Sequence, residues 1–171
     1  MDLRIERTWN GEALPAEEAA SISLCWEGEE LVLRVKAPYA GDPPPEGPPG
    51  PVWGLWDFEV VELFLVGQAE RYTEIELGPH GHHLVLKLEG VRAIVEQELA
   101  IDFEAMRHGS HWSGVARIPS ELIPDPIERL NAFAIRGTGA QRSYMAWSPV
   151  PGEAPDFHRI GLFPTWGEVQ R

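Results

Sequence analysis

Short runs of alternating apolar and polar residues, cut apart by turn residues about every ten positions, dominate this chain. That is the spacing of hairpin-linked strands in a β-sandwich. Residues 3–9, 20–26 and 31–35 alternate with period two, which sends apolar side chains to one face of a strand and polar ones to the other. The runs 58–66, 71–77, 82–88, 91–99, 111–118 and 132–138 continue the series, with a Glu89-Gly90 turn joining two of them. No long window has a helical period. The one helical candidate is a short turn after Pro119, which Ser120 can cap and Pro124 stops after Ile123. The pattern predicts an all-β fold: a two-sheet antiparallel β-sandwich, jelly-roll-like, with one short helical turn.

Residues 41–51, GDPPPEGPPGP, hold six prolines and three glycines. Such a stretch has few backbone donors and cannot join a sheet ladder or a helix. It reads first as a mobile surface loop, and alternatively as a stiff flap beside a site. It is the one candidate boundary, and the part before it has too few strands for a core of its own. Residues 1–171 are therefore expected to form a single domain.

Charge narrows the function. The chain carries 14 Lys plus Arg against 27 Asp plus Glu, a formal net charge of −13. An acidic surface of this size repels phosphate backbones and anionic lipid, so neither nucleic acid nor membrane is an expected partner. No apolar run nears the roughly 18 residues that span a bilayer, and MDLRIERTWN lacks the apolar stretch of a signal peptide. A cytoplasmic location is the expectation. Cys25, the single cysteine, sits mid-strand and reads as a small packing residue with no basic neighbour in sequence. Many prolines and only Asn10 and Asn131 as asparagines fit heat adaptation, or equally a GC-rich genome.

The glycine loops, nucleophile elbows and helical zinc motifs of common enzymes are missing. Glu62 stands out, because in EVVELFLV it lies on a strand that is otherwise apolar on both faces. An ionised carboxylate there needs a cation or several donors. It either faces a ligand cleft or forms a buried ion pair, with Arg136 of FAIRGTG as the candidate partner. Tyr72, Glu74 and Glu76 share a strand face, which can offer carboxylates to sugar hydroxyls or be the solvated side of a sheet. The solvated reading suits Glu76 better, while Glu74 stays a candidate contact.

His80 and His82 in PHGHH, with Glu74 and Glu76 on the preceding strand, raise the idea of a divalent metal site; a Pro-Gly turn explains the same residues without one. No cofactor is otherwise expected. Asp156 and His158 in PDFH form either a loop-fixing hydrogen bond or a proton-transfer pair. Trp53 and Trp56 directly follow the proline segment and are candidate stacking platforms for a sugar ring, or anchors for that segment. Trp26, Trp112 and Trp147 read as core.

EVVELFLV, YTEIELGPHGHHLVL, ARIPSELI, FAIRGTGAQRSY and PDFH, in that order between residues 56 and 163, resemble an uncharacterised conserved family with bacterial and animal members. That family is similar to the family-nine carbohydrate-binding modules and to the wider DOMON-like sandwiches, which bind heme or sugar. The resemblance implies a β-sandwich and places Glu62 at the glutamate of the module's strand motif, with Glu74 on the next strand. The tryptophans that sandwich a sugar in those modules have no clear counterpart, and Met106 and Met145 do not fall where a heme ligand would. Three functions follow in order: non-catalytic binding of a small saccharide or polyol through Glu62, Glu74 and Arg136; an enzyme using Asp156, His158 or His80 as acid and base; and a protein-interaction domain with exposed aromatics near Trp53.

Overall fold

A computed structural model describes residues 1–169, and in it twelve strands form two antiparallel sheets packed face to face. The five-stranded sheet runs β1 (Asp2–Ile5), β3 (Ala20–Glu27), β4 (Glu30–Pro38), β10 (His111–Pro119), β9 (Asp102–His108). The seven-stranded sheet runs β2 (Arg7–Thr8), β12 (Ser143–Ala146), β11 (Arg129–Arg136), β5 (Val60–Val66), β6 (Arg71–Leu77), β7 (His83–Glu89), β8 (Ile94–Glu96). β4 pairs along its length with β10, from far beyond the proline segment. Strands from both sides of that segment thus complete one sheet.

The two inner faces meet in a core that includes Leu3, Ile22, Leu33, Val35, Leu63, Ile75 and Trp112. Alternation explains it: Val61, Leu63 and Leu65 of β5 point inward and close on these residues. The other face of the seven-stranded sheet is not left to water. Val60, Phe64, Tyr72, Leu86 and Phe133 meet Leu55 from the segment after the prolines and Phe157, Ile160 and Phe163 from the C-terminal part. Phe133 stacks on Phe157 with ring centroids 4.0 Å apart, and Phe64 meets Phe133 edge to face at 5.5 Å. This second cluster is why every residue of β5 is buried. Each fully buried aromatic in it contributes about 1.5–3 kcal/mol of transfer free energy.

Several expectations change. Residues 102–108 form β9, which the pattern missed because only Phe103 and Ala105 pack inward, half-buried against the core, and the rest of the strand is exposed. The run 91–99 shrinks to β8, since Arg92 and Glu98 adopt left-handed backbone conformations at φ 60° and 53° that break a strand. The predicted turn is a 3-10 helix, Ser120–Leu122; others occur elsewhere, and Trp166–Val169 makes one α-helical turn. Trp112 is buried, but Trp26 is 49% exposed and Cys25 is exposed beside Arg34, whose Nη1 lies 3.7 Å from its sulfur.

The proline segment forms no strand or helix but is tied at both ends. Asp42 accepts the Gly137 N–H at 2.7 Å, Glu59 accepts the Ala40 N–H at 3.1 Å, and Gly50 and Val52 bond the backbone of His83. Gly81, at φ 86°, turns directly beneath Pro49, where an added Cβ would sit 3.0 Å from the proline ring. No helix among the described residues is long and apolar enough to cross a membrane.

Candidate functional site

Three glutamates lie side by side on the covered face of the seven-stranded sheet. The β5–β6 register sets Glu62 opposite Glu76 and Phe64 opposite Glu74, and the β11 register sets Phe133 opposite Glu62. Glu62 is 2% exposed, Glu74 4% and Glu76 0%. Water withdrawal of this extent disfavours the charged form. Burial first, and then the neighbouring Glu74 charge, push the Glu62 carboxyl well above the usual carboxylate range, against the pull of Arg142. Burial followed by the charges of Glu62 and Glu74 does the same to Glu76. Glu74 is pushed up to about 8, chiefly by burial and against the pull of Arg92.

Protons resolve the geometry of this cluster. Glu74 Oε2 and both Glu76 oxygens have no donor if all three groups are ionised. The neutral forms that burial favours relieve the repulsion between these neighbouring carboxyls. The row expected to face solvent at Glu76 is therefore buried, because the C-terminal segment and residues 51–58 cover this sheet face.

A hydrogen-bond chain closes one side of the cluster. Tyr72 Oη accepts the Arg92 backbone N–H at 3.0 Å and lies 2.8 Å from His158 Nδ1. With its oxygen already accepting, the phenol donates to Nδ1, which leaves the imidazole proton on Nε2, 3.8 Å from Glu74 Oε2. Burial, reinforced by Arg92, lowers His158 to about 4, so the ring is neutral at pH 7. Asp156 does not touch the imidazole. Its Oδ1 takes the Arg92 guanidinium at 2.7 Å and the His158 backbone N–H at 3.1 Å. Although partial burial pushes Asp156 up, these two bonds hold it below the usual range. The Asp156–His158 proton-transfer pair is thus not formed; the two residues lock a loop.

These groups open onto one cavity of about 420 Å³, within the ~300–1,000 Å³ typical of small-molecule sites. Glu62, Glu74, Asp156 and His158 line it together with Trp53 and Trp56. The two indoles meet edge to face, 4.9 Å between centroids at 84°. Trp56 also packs against the outer aromatic cluster, while Trp53 stays 46% exposed. Six of the eight residues singled out from sequence are therefore brought to one place.

The other two are not. Arg136 points to the opposite side of the sheet, because Phe133 and Ile135 take the face shared with Glu62. It binds the Glu18 carboxylate at 3.0 Å and the Glu18 carbonyl at 2.9 Å, so the Glu62–Arg136 ion pair does not exist. His80 sits beyond the proline segment, where its ring contacts Arg107, Tyr39 and the Asp42 carbonyl. Burial lowers its pKa. Among the described residues no group of three or more His, Cys, Asp or Glu is placed to hold a metal ion. His83 packs edge to face on Phe103, its pKa lowered by burial to about 4.

Sequence reasoning missed Arg92 and Arg142, both on the cavity wall. Arg142 comes after β11 and its guanidinium donates to the carbonyls of Trp56, Asp57 and Gly137 and to Tyr144 Oη. It fastens the Trp-bearing segment to the sheet. Arg142 lies outside every alternating run and Arg92 is an ordinary polar position in the run 91–99, so periodicity singles out neither.

Proteins described as UPF0462 protein C4orf33 homologs, from Rattus norvegicus and Danio rerio, are each 42% identical over 173 aligned residues. The alignments span 95% of this chain and 86% and 87% of theirs; the human UPF0462 protein C4orf33 is also 42% identical, over 95% of this chain and 86% of its own. The chain belongs to the UPF0462 family. No protein-family model matches it. A solved structure from Bacteroides uniformis, described as "a putative carbohydrate-binding protein", superposes with a TM-score of 0.70 at 17% identity. It covers 96% of this chain and 84% of that one, and shows that this UPF0462 member shares its sandwich fold. Neither Met106, exposed on β9, nor Met145, in the core, lines the UPF0462 cavity.

Proposed function

We propose that the cavity binds a small saccharide or polyol and does not transform it. The observation that carries this reading is the placement of the Trp53–Trp56 pair on the same wall as two buried carboxyls, Glu62 and Glu74. A sugar has apolar C–H faces that pack on indole and hydroxyls that need directional partners. A carboxyl that keeps its proton serves a hydroxyl as donor and acceptor at once, which an ionised carboxylate cannot do. Glu62 and Glu74 are in that condition near neutral pH, through burial. The Arg92–Asp156 pair and the Arg142 bonds to three carbonyls hold the walls in place without a ligand, which limits the ordering cost of binding.

The fold shared with the Bacteroides uniformis protein supports the same reading by analogy. Catalysis through Asp156 and His158 has no such support, since the carboxylate is spent on Arg92 and on backbone. Calorimetric titration with a panel of monosaccharides, disaccharides and polyols tests the proposal. Heat that saturates for the native protein and vanishes in Trp53→Ala supports it. An athermal result across the panel, confirmed by unchanged tryptophan fluorescence, contradicts it.

A further inference from the structure

Resting on the saccharide reading, we infer that the preferred ligand carries an ammonium group, as an amino sugar does, and that this group sits against Glu62 and Glu74. Acidic groups dominate the cavity wall: Asp57, Glu62, Glu74 and Asp156 line it against two cations, Arg92 and Arg142. Burial keeps the protons on Glu62 and Glu74 while the cavity is empty, and an ammonium seated against them favours their charged forms. Both cations are already engaged. Arg92 is held by Asp156 at 2.7 Å, and Arg142 donates to three carbonyls and a phenol instead of to a carboxylate.

Glu74 Oε2 is left without a hydrogen-bond partner, and Glu74 and Glu62 are both more than nine-tenths buried and line the cavity. His158 does not fill the gap, because its ring is neutral and its Nε2 stands 3.8 Å from Glu74. A buried acid with open lone pairs is costly unless a cation or donor reaches it. An ammonium presents three donors and one positive charge in a compact volume, which answers two adjacent carboxyls at once.

The aromatic wall points the same way by a separate route. An indole face attracts a cation through its quadrupole as well as packing on C–H groups. Trp53 and Trp56 stand at right angles, and Tyr144 lines the same cavity. A neutral hexose uses the rings and gives the two buried carboxyls no cation; a hexosamine uses both.

The test compares glucosamine, glucose, N-acetylglucosamine and ethanolamine by calorimetry on the native protein, Glu62→Gln and Glu74→Gln near neutral pH. The expected result is glucosamine binding at least tenfold tighter than glucose or N-acetylglucosamine. Glu62→Gln should weaken glucosamine by about tenfold to a hundredfold, the worth of a charged hydrogen bond, with glucose changed far less. Equal affinities for glucosamine, glucose and N-acetylglucosamine overturn the ammonium inference and leave the saccharide reading standing. Ethanolamine binding as tightly as glucosamine, with no response to glucose, upholds the ammonium inference and overturns the saccharide reading. No binding of any probe overturns both. Glu74→Gln guards against a folding artefact, since melting curves of the two variants identify a fold defect before titration.

Discussion

Replacing Glu74 with glutamine should change how stability depends on pH more than it changes stability itself. The Glu74 carboxyl sits in a dry environment that lifts it from the ordinary 4.5 to about 8 in the folded protein. Below about pH 4.5 it is protonated in both folded and unfolded chains and has no effect on the pH slope. As pH rises from there, the unfolded chain releases the proton and the folded one keeps it, so stability declines until the folded group also titrates near pH 8. The shift of 8 − 4.5, or 3.5 units, at 1.36 kcal/mol each gives a loss of about 5 kcal/mol across that window.

Glutamine has the shape of the neutral acid and cannot ionise. Glu74→Gln should therefore match the native protein near pH 4.5 and exceed it by several kcal/mol near pH 8. Glu62 and Glu76 are raised by the same burial, so the three titrate as one cluster and the variant removes only part of the slope. Urea unfolding followed by circular dichroism at half-unit intervals from pH 4.5 to 8.5 measures both profiles. Parallel profiles, offset by a constant within about 0.5 kcal/mol, would refute the claim that a buried neutral carboxyl sits at this position.

Other consequences follow from the same contacts. Tyr72→Phe removes the hydroxyl that bridges the Arg92 N–H and His158, and should cost about 1–3 kcal/mol for the donors left unpaired, read by thermal melting. Glu62→Gln and Arg136→Met should be additive to within about 0.5 kcal/mol in a double-mutant cycle, because the two side chains occupy opposite faces; coupling of several kcal/mol would restore the ion pair that the fold excludes. Asp42→Ala breaks the bond to the Gly137 N–H, so limited proteolysis should nick residues 41–51 sooner in the variant than in the native chain; identical digestion patterns would show that the segment is not held there.

The strand pattern was legible because alternation directly reports which face of a strand is dry. It placed β3, β4, β5, β6 and β7 and marked Glu62 as a charge with no wet side. It failed where only two half-buried residues mark the inner face, as Phe103 and Ala105 do in β9, and where left-handed residues such as Arg92 and Glu98 shorten a strand. Face-sharing between strands is a different matter. Alternation groups Arg136 with Ala132 and Ala134, but only the β5–β11 register decides that this group lies opposite to Glu62. Glu76 was misjudged for a related reason: a polar row on a strand looks solvated unless one knows that remote segments, around Leu55 and Phe157, fold over it. Trp53, Trp56, Asp156 and His158 were visible as residue types suited to a site. Their convergence with Glu62 and Glu74 depends on loops packing across the sheet, and so does the part played by Arg92 and Arg142.

The claim that this cavity is where a ligand binds can be tested on the seven tryptophans directly. Their indole N–H signals, assigned by single Trp→Phe replacements in a nitrogen-15 spectrum, report separate regions of the molecule. Trp53 and Trp56 line the cavity, Trp112 is buried between the sheets, and Trp26 and Trp166 line a different groove beside Pro124 and Pro126. Titration with glucosamine should move the Trp53 and Trp56 signals in a saturable way and leave those of Trp26, Trp112 and Trp166 in place. Saturable shifts confined to Trp26 and Trp166 would contradict the account and move the binding site to the other groove.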